Sequence, residues 1–327
     1  MRVFVYEFTC AAGTTHSILD SLRAEGRAML SAVTDDLIRI PDVDVVSLPI
    51  GNGEEEQKFR ELARKADFTL VIAPELDDIL AQRCQWVEEA SGRLLGPSLS
   101  AVRMTADKYS LGQLLQGQQI PTPETWLLSP ERADSFKRFP AVLKPRFGAG
   151  SLATYLVESQ NDLRRWIAIA RDEGYSGDLI LQPFIPGQAA SVAFLIGHKQ
   201  RLSLPPARQN LSTDGRFHYQ GGSLPLPAEL AERACRLATR AIDEIPGLLG
   251  FVGVDLVLGN DSDGRQDQVI EINPRLTTSY IGLRALAESN LGEAMLNIAI
   301  GKQVAPLRWH PGRVQFHSDG RVAMTDD

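Results

Sequence analysis

Residues 269–275 place a carboxylate and an amide where both could bind one ion. Glu271 and Asn273 stand two residues apart in the stretch Val-Ile-Glu-Ile-Asn-Pro-Arg. Alternate side chains of an extended strand share one face, so these two would point the same way. Carboxylate and amide oxygens on one rigid face suit a hard cation such as Mg²⁺. Arg275 follows at the strand end, where a guanidinium can meet phosphate or carboxylate oxygens. The competing interpretation is a surface carboxylate followed by a turn that starts at Asn-Pro.

Three charged residues upstream favour the ion-binding interpretation. Asp255 lies inside the apolar stretch 253–257, which predicts a buried strand. A buried carboxylate needs a cation or a hydrogen-bond partner. Lys144 ends the apolar stretch 140–144 and likewise needs an anionic partner. Lys108 taken alone would be an ordinary solvated lysine. With residues 271 and 273, Asp255 predicts three oxygen ligands on neighbouring strands.

A glycine-rich loop follows Lys144. Gly148, Gly150 and Ser151 lie in the stretch Pro-Arg-Phe-Gly-Ala-Gly-Ser, where missing Cβ atoms let backbone N–H groups approach an anion. Residues 148–153 also match a GxGxxA dinucleotide fingerprint, but that fingerprint requires a helix to begin at the loop. Residues 152–158 alternate like a strand instead. The pattern therefore predicts a hairpin-like loop that folds over phosphates, with a plain tight turn as the alternative.

Residues 182–187, Gln-Pro-Phe-Ile-Pro-Gly, form an apolar hinge that contains one amide. Such a composition is typical of a pocket for a purine ring. Gln182 would bond the exocyclic amine of the purine, and Ile185 would offer its backbone groups, with Phe184 in the same wall. The hinge is thus predicted to bind the base of a nucleotide.

The elements around these residues predict an α/β chain in three parts. Strands alternate with helices over residues 1–98, which predicts a parallel sheet with helices on both faces. Residues 99–185 begin with a helix over about 100–115 and continue through a Pro-rich linker into an α+β unit that holds the glycine loop. Residues 186–327 form a second α+β unit, which carries the three oxygen ligands.

The composition of the chain argues against two classes of binding partner. The 327 residues are 43% hydrophobic and carry 34 basic and 41 acidic residues, for a net charge of −7. An acidic chain without a basic run predicts no nucleic-acid or membrane partner. Three cysteines far apart are typical of a reduced, cytoplasmic protein. Residues 2–8 are short and contain Glu7, so they predict a strand rather than a signal peptide.

Taken in order, six short motifs resemble the ATP-grasp superfamily of carboxylate–amine ligases. The motifs are Asp107-Lys108, Leu143-Lys144-Pro145, the loop 148–151, the hinge 182–187, Val254-Asp255-Leu256 and Glu271-Ile272-Asn273-Pro274-Arg275. Each is weak alone, and their order carries the resemblance. It implies an ATP-grasp fold in which two α+β subdomains sandwich ATP behind an N-terminal α/β domain.

The resemblance also implies roles for the charged residues. Lys108 and Lys144 would contact ATP phosphates, and Arg275 would stabilise the transferred phosphoryl group or the acyl phosphate. Two Mg²⁺ ions, with Mn²⁺ as an alternative, would be bound by Asp255, Glu271 and Asn273.

The same resemblance assigns the hinge and the ribose contact. Gln182 and Ile185 would hold adenine. Ala189 departs from the family, which often has a ribose-binding glutamate at this position. Gln188 is the candidate substitute.

A narrower similarity rests on residues 5–8, 208–211 and 219–222. These stretches resemble small ligases related to the tyramine–glutamate ligase of methanofuran biosynthesis. That similarity implies an amide bond between the γ-carboxylate of glutamate and an aromatic amine such as tyramine. Small-molecule substrates are the expected partners, and a homodimer is compatible with the resemblance.

The loop after the first predicted strand is a candidate substrate site. In α/β sheets, ligands bind beyond the carboxyl ends of strands, and helix N-termini attract anions. Glu7 lies at that strand end and Gly13 lies in the following small-residue loop. With Arg208 and Tyr219, they are predicted to border the pocket for the amino acid or amine. An ordinary strand-to-helix turn is the alternative.

Three other functions remain open at this point. One is a ligase of this family for other amino acids or dipeptides, and another is a nucleotide sensor without catalytic activity. A sensor need not keep both carboxylates of the metal set. The third is a dinucleotide-dependent oxidoreductase, which the strand-like stretch after the glycine loop disfavours.

Overall fold

The computed structural model of the protein describes residues 1–11, 17–48 and 54–325. The first part is a three-stranded parallel sheet in the order β2-β1-β3, formed by β1 (Arg2–Glu7), β2 (Asp44–Ser47) and β3 (Phe68–Ile72). Its helices are α1 (Phe8–Ala11), α2 (Ser17–Ile38), α3 (Glu55–Lys65) and α4 (Ile79–Glu89), with a 3₁₀ turn at Leu76–Asp78. Helices therefore alternate with parallel strands, and the predicted α/β class is confirmed.

Two helices follow where the sequence predicts one. They are α5 (Leu99–Ala106) and α6 (Lys108–Gly117). Asp107 separates them because its backbone is extended and its side chain caps α6, accepting hydrogen bonds from the N–H groups of Tyr109 and Ser110. The helical period continues across this residue, so the pattern alone does not show the break.

The second sheet is antiparallel and has the order β4-β7-β5-β6. Its strands are β4 (Trp126–Leu127), β5 (Ala141–Pro145), β6 (Tyr155–Val157) and β7 (Leu179–Pro183), and its helices are α7 (Pro130–Ser135) and α8 (Gln160–Asp172). Leu143 of β5 faces the core of this part. Alternation then turns Lys144 to the opposite face.

The third sheet has eight strands in the order β13-β12-β8-β10-β11-β14-β15, with β9 paired to β8. The strands are β8 (Gln188–Ile196), β9 (Arg201–Ser203), β10 (Ala207–Leu211), β11 (Tyr219–Leu224), β12 (Gly250–Leu258), β13 (Gln268–Asn273), β14 (Arg313–Phe316) and β15 (Val322–Thr325). Its helices are α9 (Ala228–Asp243), α10 (Ser279–Leu286) and α11 (Leu291–Ala299). The sequence predicts one helix over 282–299, and the structure divides it between α10 and α11.

A shared core joins the first sheet to the third. Val5, Leu70 and Val33 of the first part pack in one buried cluster with Leu195 and Tyr280 of the third. Burying such apolar surface is the main favourable term in folding. The buried carboxylate of Asp36 on α2 accepts hydrogen bonds from Tyr280 and Arg284, at 2.7 and 2.6 Å. The first part is thereby fixed against the third sheet.

Helices α5 and α6 also belong to the core of the third sheet. Ala101, Leu111 and Leu115 pack with Val192 and Val254. The sequence-based division at residues 98 and 185 assigns these helices to the central part, and it stays a prediction. Among the described residues, no helix is both long and apolar enough to cross a membrane.

Candidate active site

One cavity of about 920 Å³ lies where the three sheets meet. Its walls include every predicted site residue except Gly13, which lies outside the described residues. The others are Glu7, Lys108, Lys144, Gly148, Gly150, Ser151, Gln182, Phe184, Ile185, Gln188, Arg208, Tyr219, Asp255, Glu271, Asn273 and Arg275. The structure thus brings together residues that are far apart in the sequence.

The three predicted metal ligands lie on β12 and β13. Asp255 pairs with Glu271 across these antiparallel strands, and directly opposed residues share a face. Asn273 Nδ2 donates to Asp255 Oδ2 at 3.0 Å, which leaves the amide oxygen of Asn273 available. Gln209 Nε2 donates to Asp255 Oδ1 at 2.9 Å. The amides of Asn273 and Gln209 therefore each donate a hydrogen bond to a different oxygen of the Asp255 carboxylate.

The two carboxylates fit a divalent cation electrostatically. Burial, followed by the neighbouring Glu271 carboxylate, raises the pKa of Asp255 well above its ordinary value. Burial also acts to raise the pKa of Glu271, but Lys108 and Lys144 outweigh it and lower that pKa to about 2. A cation between the carboxylates would relieve their repulsion. Over the described part of the chain, no three His, Cys, Asp or Glu side chains cluster as a metal site. The donor set here is two carboxylates and an amide, which suits Mg²⁺.

Lys144 is a buried lysine in the cavity wall. It is 6% exposed and lines the cavity, and its ammonium group makes no hydrogen bond or ion pair with a described residue. Burial lowers the pKa of Lys144 to about 8, against the attraction of Glu271. A buried ammonium without a hydrogen bond is costly unless a ligand supplies the acceptors.

Lys108 is held at the first turn of α6 by the glycine loop. Arg146 of that loop binds Asp107 through two contacts, Nε to Oδ1 at 2.9 Å and Nη2 to Oδ2 at 2.6 Å. Lys108 Nζ donates to the carbonyl of Gly148 at 2.8 Å and lies 3.3 Å from Glu271 Oε2. An ammonium has three donors, so one remains for a phosphate.

The glycine loop is packed against the first and third parts of the chain. Gly150 has a φ of +67°, and a Cβ there would collide with Leu22 of α2. Ser151 Oγ donates to the carbonyl of Phe217 at 2.7 Å, and the Leu156 N–H donates to the carbonyl of Gly215, also at 2.7 Å. The turn between β10 and β11 therefore closes over the second sheet.

The hinge offers the groups that a purine base needs. Thr125 Oγ1 donates its hydrogen to the Pro123 carbonyl at 3.0 Å and so must accept from Gln182 Nε2, 2.8 Å away. This orients the Gln182 carbonyl away from Thr125 and leaves it free to accept. The Phe184 N–H is taken by Pro140, whereas no described residue bonds the backbone groups of Ile185 outside the strands.

Two further side chains complete the nucleotide end of the cavity. The Nε2 atom of Gln188 is buried and has no hydrogen-bond partner among the described residues, so its donors are available where a ribose contact is predicted. Phe217 stacks on Phe184 with ring centroids 6.2 Å apart.

Arg275 faces the cavity from the end of β13 and contacts the first part of the chain. Its Nη2 donates to Glu75 Oε2 at 3.0 Å, and its Nε lies 2.9 Å from Glu75 Oε1 without the alignment of a hydrogen bond. Nη1 donates to the carbonyl of Leu276 at 3.2 Å. Burial opposes the charge, but Glu75 outweighs it and raises the pKa of Arg275.

The predicted substrate end is acidic. Glu7 is buried, and its Oε2 accepts from Thr9 Oγ1 at 2.8 Å and from the Cys10 N–H at 2.7 Å. Glu25 of α2 also lines the cavity and accepts a hydrogen bond from Thr278. Burial raises the pKa of Glu25, and the Thr278 hydrogen bond and Arg275 oppose that rise. Burial raises the pKa of Tyr219 as well, with Glu25 and Asp255 nearby.

The sequence predicts Arg208 as a substrate-site residue but does not predict its neighbour Gln209. The alternation of β10 places the exposed Arg208 on the opposite face from Gln209, whose amide reaches Asp255. Glu25 and Glu75 were also missed. A signal for Glu75 was present, since it comes two residues after the predicted strand 68–73, where α/β sheets place ligand-binding groups.

Comparisons with known proteins find relatives over most of the chain. A model of the ATP-grasp domain matches residues 105–279, and a model of the pre ATP-grasp 3 domain matches residues 29–102. Tyramine–L-glutamate ligase of Methanocaldococcus fervens is 25% identical over 321 residues, covering 92% of this chain and 95% of that protein. The enzyme of the same name from Methanocaldococcus jannaschii is 26% identical, with 83% and 75% covered.

A solved structure shows the same fold. The crystal structure of an ATP-grasp superfamily protein from Archaeoglobus fulgidus aligns with a TM-score of 0.73 and 24% identity, covering 97% of this chain and 92% of that one. Because the ATP-grasp model alone spans more than half of the sequence, this chain belongs to the ATP-grasp family and is an ATP-dependent ligase that forms C–N bonds.

Proposed function

We propose that the protein uses ATP to convert a carboxylate into an acyl phosphate, which an amine then attacks to form an amide. The observation that carries the proposal is Lys144, a buried ammonium that faces the cavity without a hydrogen bond or close ion pair to a described residue. ATP phosphates supply the hydrogen-bond acceptors that it lacks. Phosphoryl transfer needs mainly positioning and charge neutralisation, which this set of lysines, loop and acidic ligands can provide.

In this proposal the nucleotide lies between the second and third sheets. Adenine contacts the Gln182 carbonyl and the backbone of Ile185, and Gln188 donates to the ribose. The remaining donor of Lys108, the three donors of Lys144 and the loop around Gly148 bind the phosphates.

The family uses ATP with Mg²⁺, and we assign two ions to this chain. Their ligands are Asp255, Glu271 and Asn273, with Gln209 orienting Asp255 from behind. When bound, the ions neutralise phosphate charge. Arg275 places its guanidinium where charge develops on the transferred phosphoryl group or the acyl phosphate.

For the substrates, we propose L-glutamate as the carboxylate and tyramine or a related aromatic amine as the nucleophile. The names of the two Methanocaldococcus relatives support this pair. The acidic end of the cavity, with Glu7 and Glu25, suits a positively charged ammonium group of either substrate. Tyr219 lies beside it and offers an aromatic surface.

The test is ADP release on mixing the protein with Mg-ATP, L-glutamate and tyramine. The expected result is ADP formation that requires both substrates, with a product whose mass equals their sum less one water. A panel of other amino acids and amines is run in parallel, and Glu271→Gln serves as the inactive control. ADP release that no carboxylate and amine pair stimulates would contradict the proposal.

A further inference from the structure

Arg275 is held by Glu75, to which it donates a hydrogen bond. Glu75 does not line the cavity, whereas Arg275 does. Glu75 is 5% exposed, and its carboxylate contacts Nη2 and Nε of Arg275 at 3.0 and 2.9 Å. The Leu276 carbonyl accepts from Nη1 at 3.2 Å. A guanidinium has five N–H groups. The Nε–H faces Glu75 Oε1 without the alignment of a hydrogen bond, and Nη1 and Nη2 each keep one further N–H that no described residue accepts. Two adjacent N–H groups match the spacing of two oxygens of one carboxylate or phosphoryl group.

The turn that carries Glu75 is fixed on both sides. It leaves the carboxyl end of β3, and its next residue, Leu76, packs against the core of the second sheet. Asp77 and Asp78 both have left-handed backbones, with φ of 49° and 59°. Aspartate adopts this conformation more readily than most residues other than glycine, so these two residues suit a tight turn. One short turn therefore contacts the second sheet through Leu76 and the third part through Glu75.

From these contacts we infer that Glu75 is a positioning residue for the reaction, a role that rests on the proposed function. It holds one side of the Arg275 guanidinium so that the two remaining N–H groups point at the reacting oxygens. Glu75 does not touch ATP or either substrate. Its removal should therefore slow the phosphoryl-transfer step and leave nucleotide binding intact.

The test compares three single variants. Glu75→Gln keeps the shape and removes the charge, and Glu75→Asp keeps the charge on a shorter side chain. Glu89→Gln is the matched control, because it removes the same charge from an Arg–Glu pair of the first part, 2.6 Å from Arg60 and partly exposed.

We expect kcat to fall while the affinity for Mg-ATP stays unchanged. Glu75→Gln should lower kcat at least tenfold, with the Kd of Mg-ATP measured by calorimetry within twofold of wild type. Glu75→Asp should lower kcat less than Glu75→Gln does, and Glu89→Gln should keep the kcat of wild type. In the double variant with Arg275→Lys, the Glu75→Gln change should add little further loss. A kcat within twofold of wild type for folded Glu75→Gln overturns the inference, as does an ATP affinity that falls as much as kcat.

A second readout does not depend on the substrates. Hydrogen exchange of the Arg275 side-chain N–H groups, assigned by their loss in Arg275→Lys, should be slow in wild type and in Glu89→Gln. It should be at least tenfold faster in Glu75→Gln. Equal exchange in all three proteins overturns the inference. If wild type releases no ADP with any substrate pair, the proposed function fails while this exchange result still decides the role of Glu75.

Discussion

Gln209 and Asp255 form a hydrogen bond of 2.9 Å between two strands that are not neighbours, since β8 lies between β10 and β12. The amide reaches the carboxylate oxygen that Asn273 leaves free. Partners of this kind orient a metal ligand, and their loss typically weakens metal binding by about 10–100-fold. Gln209 therefore supports the proposed metal site.

The first prediction concerns this support. Gln209→Met, which keeps the size of the side chain, should raise the Kd for Mg²⁺ by about tenfold or more. Calorimetric titration of Mg²⁺ in the presence of ADP is the measurement. The control is Gln315→Met, because Gln315 is an exposed glutamine of the same sheet. An unchanged Mg²⁺ affinity in Gln209→Met would show that the hydrogen bond does not orient the ligand.

A second prediction concerns Glu271 itself. Glu271→Gln should lower turnover by about 10²–10³, the usual effect of removing one group that stabilises charge in the transition state. The fold should persist, because glutamine keeps the volume of the side chain. Turnover is measured by ADP release and folding by circular dichroism. The surface variant Glu61→Gln, which breaks the exposed pair with Lys65, is the control. Near-normal turnover in folded Glu271→Gln would refute the metal assignment.

A third prediction uses the pKa of Lys144, which burial lowers to about 8. Folding depresses this pKa, so the contribution of Lys144 to the free energy of unfolding is lost as the pH falls through about 8. In the proposed site ATP binds the charged form of Lys144, so ATP affinity should fall above pH 8, by up to about tenfold per pH unit.

Calorimetry of ATP binding across this pH range tests that expectation. Lys144→Met should bind ATP more weakly and lose the fall above pH 8. Lys144→Arg should also lose it, because arginine stays charged in this range. A fall above pH 8 that persists unchanged in Lys144→Met would assign the titration to another group.

A fourth prediction concerns the glycine loop. Gly150→Ala adds a Cβ against Leu22 at a backbone φ of +67°, which costs at least about 1 kcal/mol. We expect ATP affinity to fall by about five- to tenfold. Backbone hydrogen exchange over residues 146–153 should be fast without nucleotide and slow with ATP in wild type. Gly174→Ala is the control, since its φ is +90° but no atom lies within 4 Å of the added Cβ. Slow exchange that ATP does not change would argue against a phosphate-binding loop.

A fifth prediction tests the substrate end. A Cβ at Gly26 would collide with the carboxylate of Glu7 and lie 2.8 Å from Thr9 Oγ1. Gly26→Ala should therefore displace Glu7, and both Gly26→Ala and Glu7→Gln should raise the KM for the amine or amino acid. The KM for ATP should stay within twofold. Gly117→Ala, where the added Cβ meets nothing, is the control. A loss confined to ATP binding would remove Glu7 from substrate recognition.

The residues that could be predicted from the sequence are those with local signals. Glu271 and Asn273 follow from the period of one strand, and Lys144 from its place at the end of an apolar stretch. Gln209 carries no such signal, and the position of Glu75 after a strand does not indicate its partner, because the partners of these two residues are 46 and 200 residues away. Only the tertiary packing defines these contacts.

For a related reason, the sequence does not predict two strands of the third sheet that have polar sequences. Residues 207–211 and 219–224 read Ala-Arg-Gln-Asn-Leu and Tyr-Gln-Gly-Gly-Ser-Leu, which lack the apolar alternation of a half-buried strand. They form β10 and β11 because they are paired on both edges within the third sheet. The hydrogen bonds of that sheet outweigh the weak intrinsic preference of the residues.

The core shared by the first and third parts has a consequence for unfolding. Val5 and Leu70 are buried against residues that follow them by more than a hundred positions, such as Leu195 and Tyr280. Neither part can open without exposing the apolar surface of the other. Heat or denaturant should therefore melt both in a single cooperative transition, and a fragment without the first 98 residues should lack a stable native state.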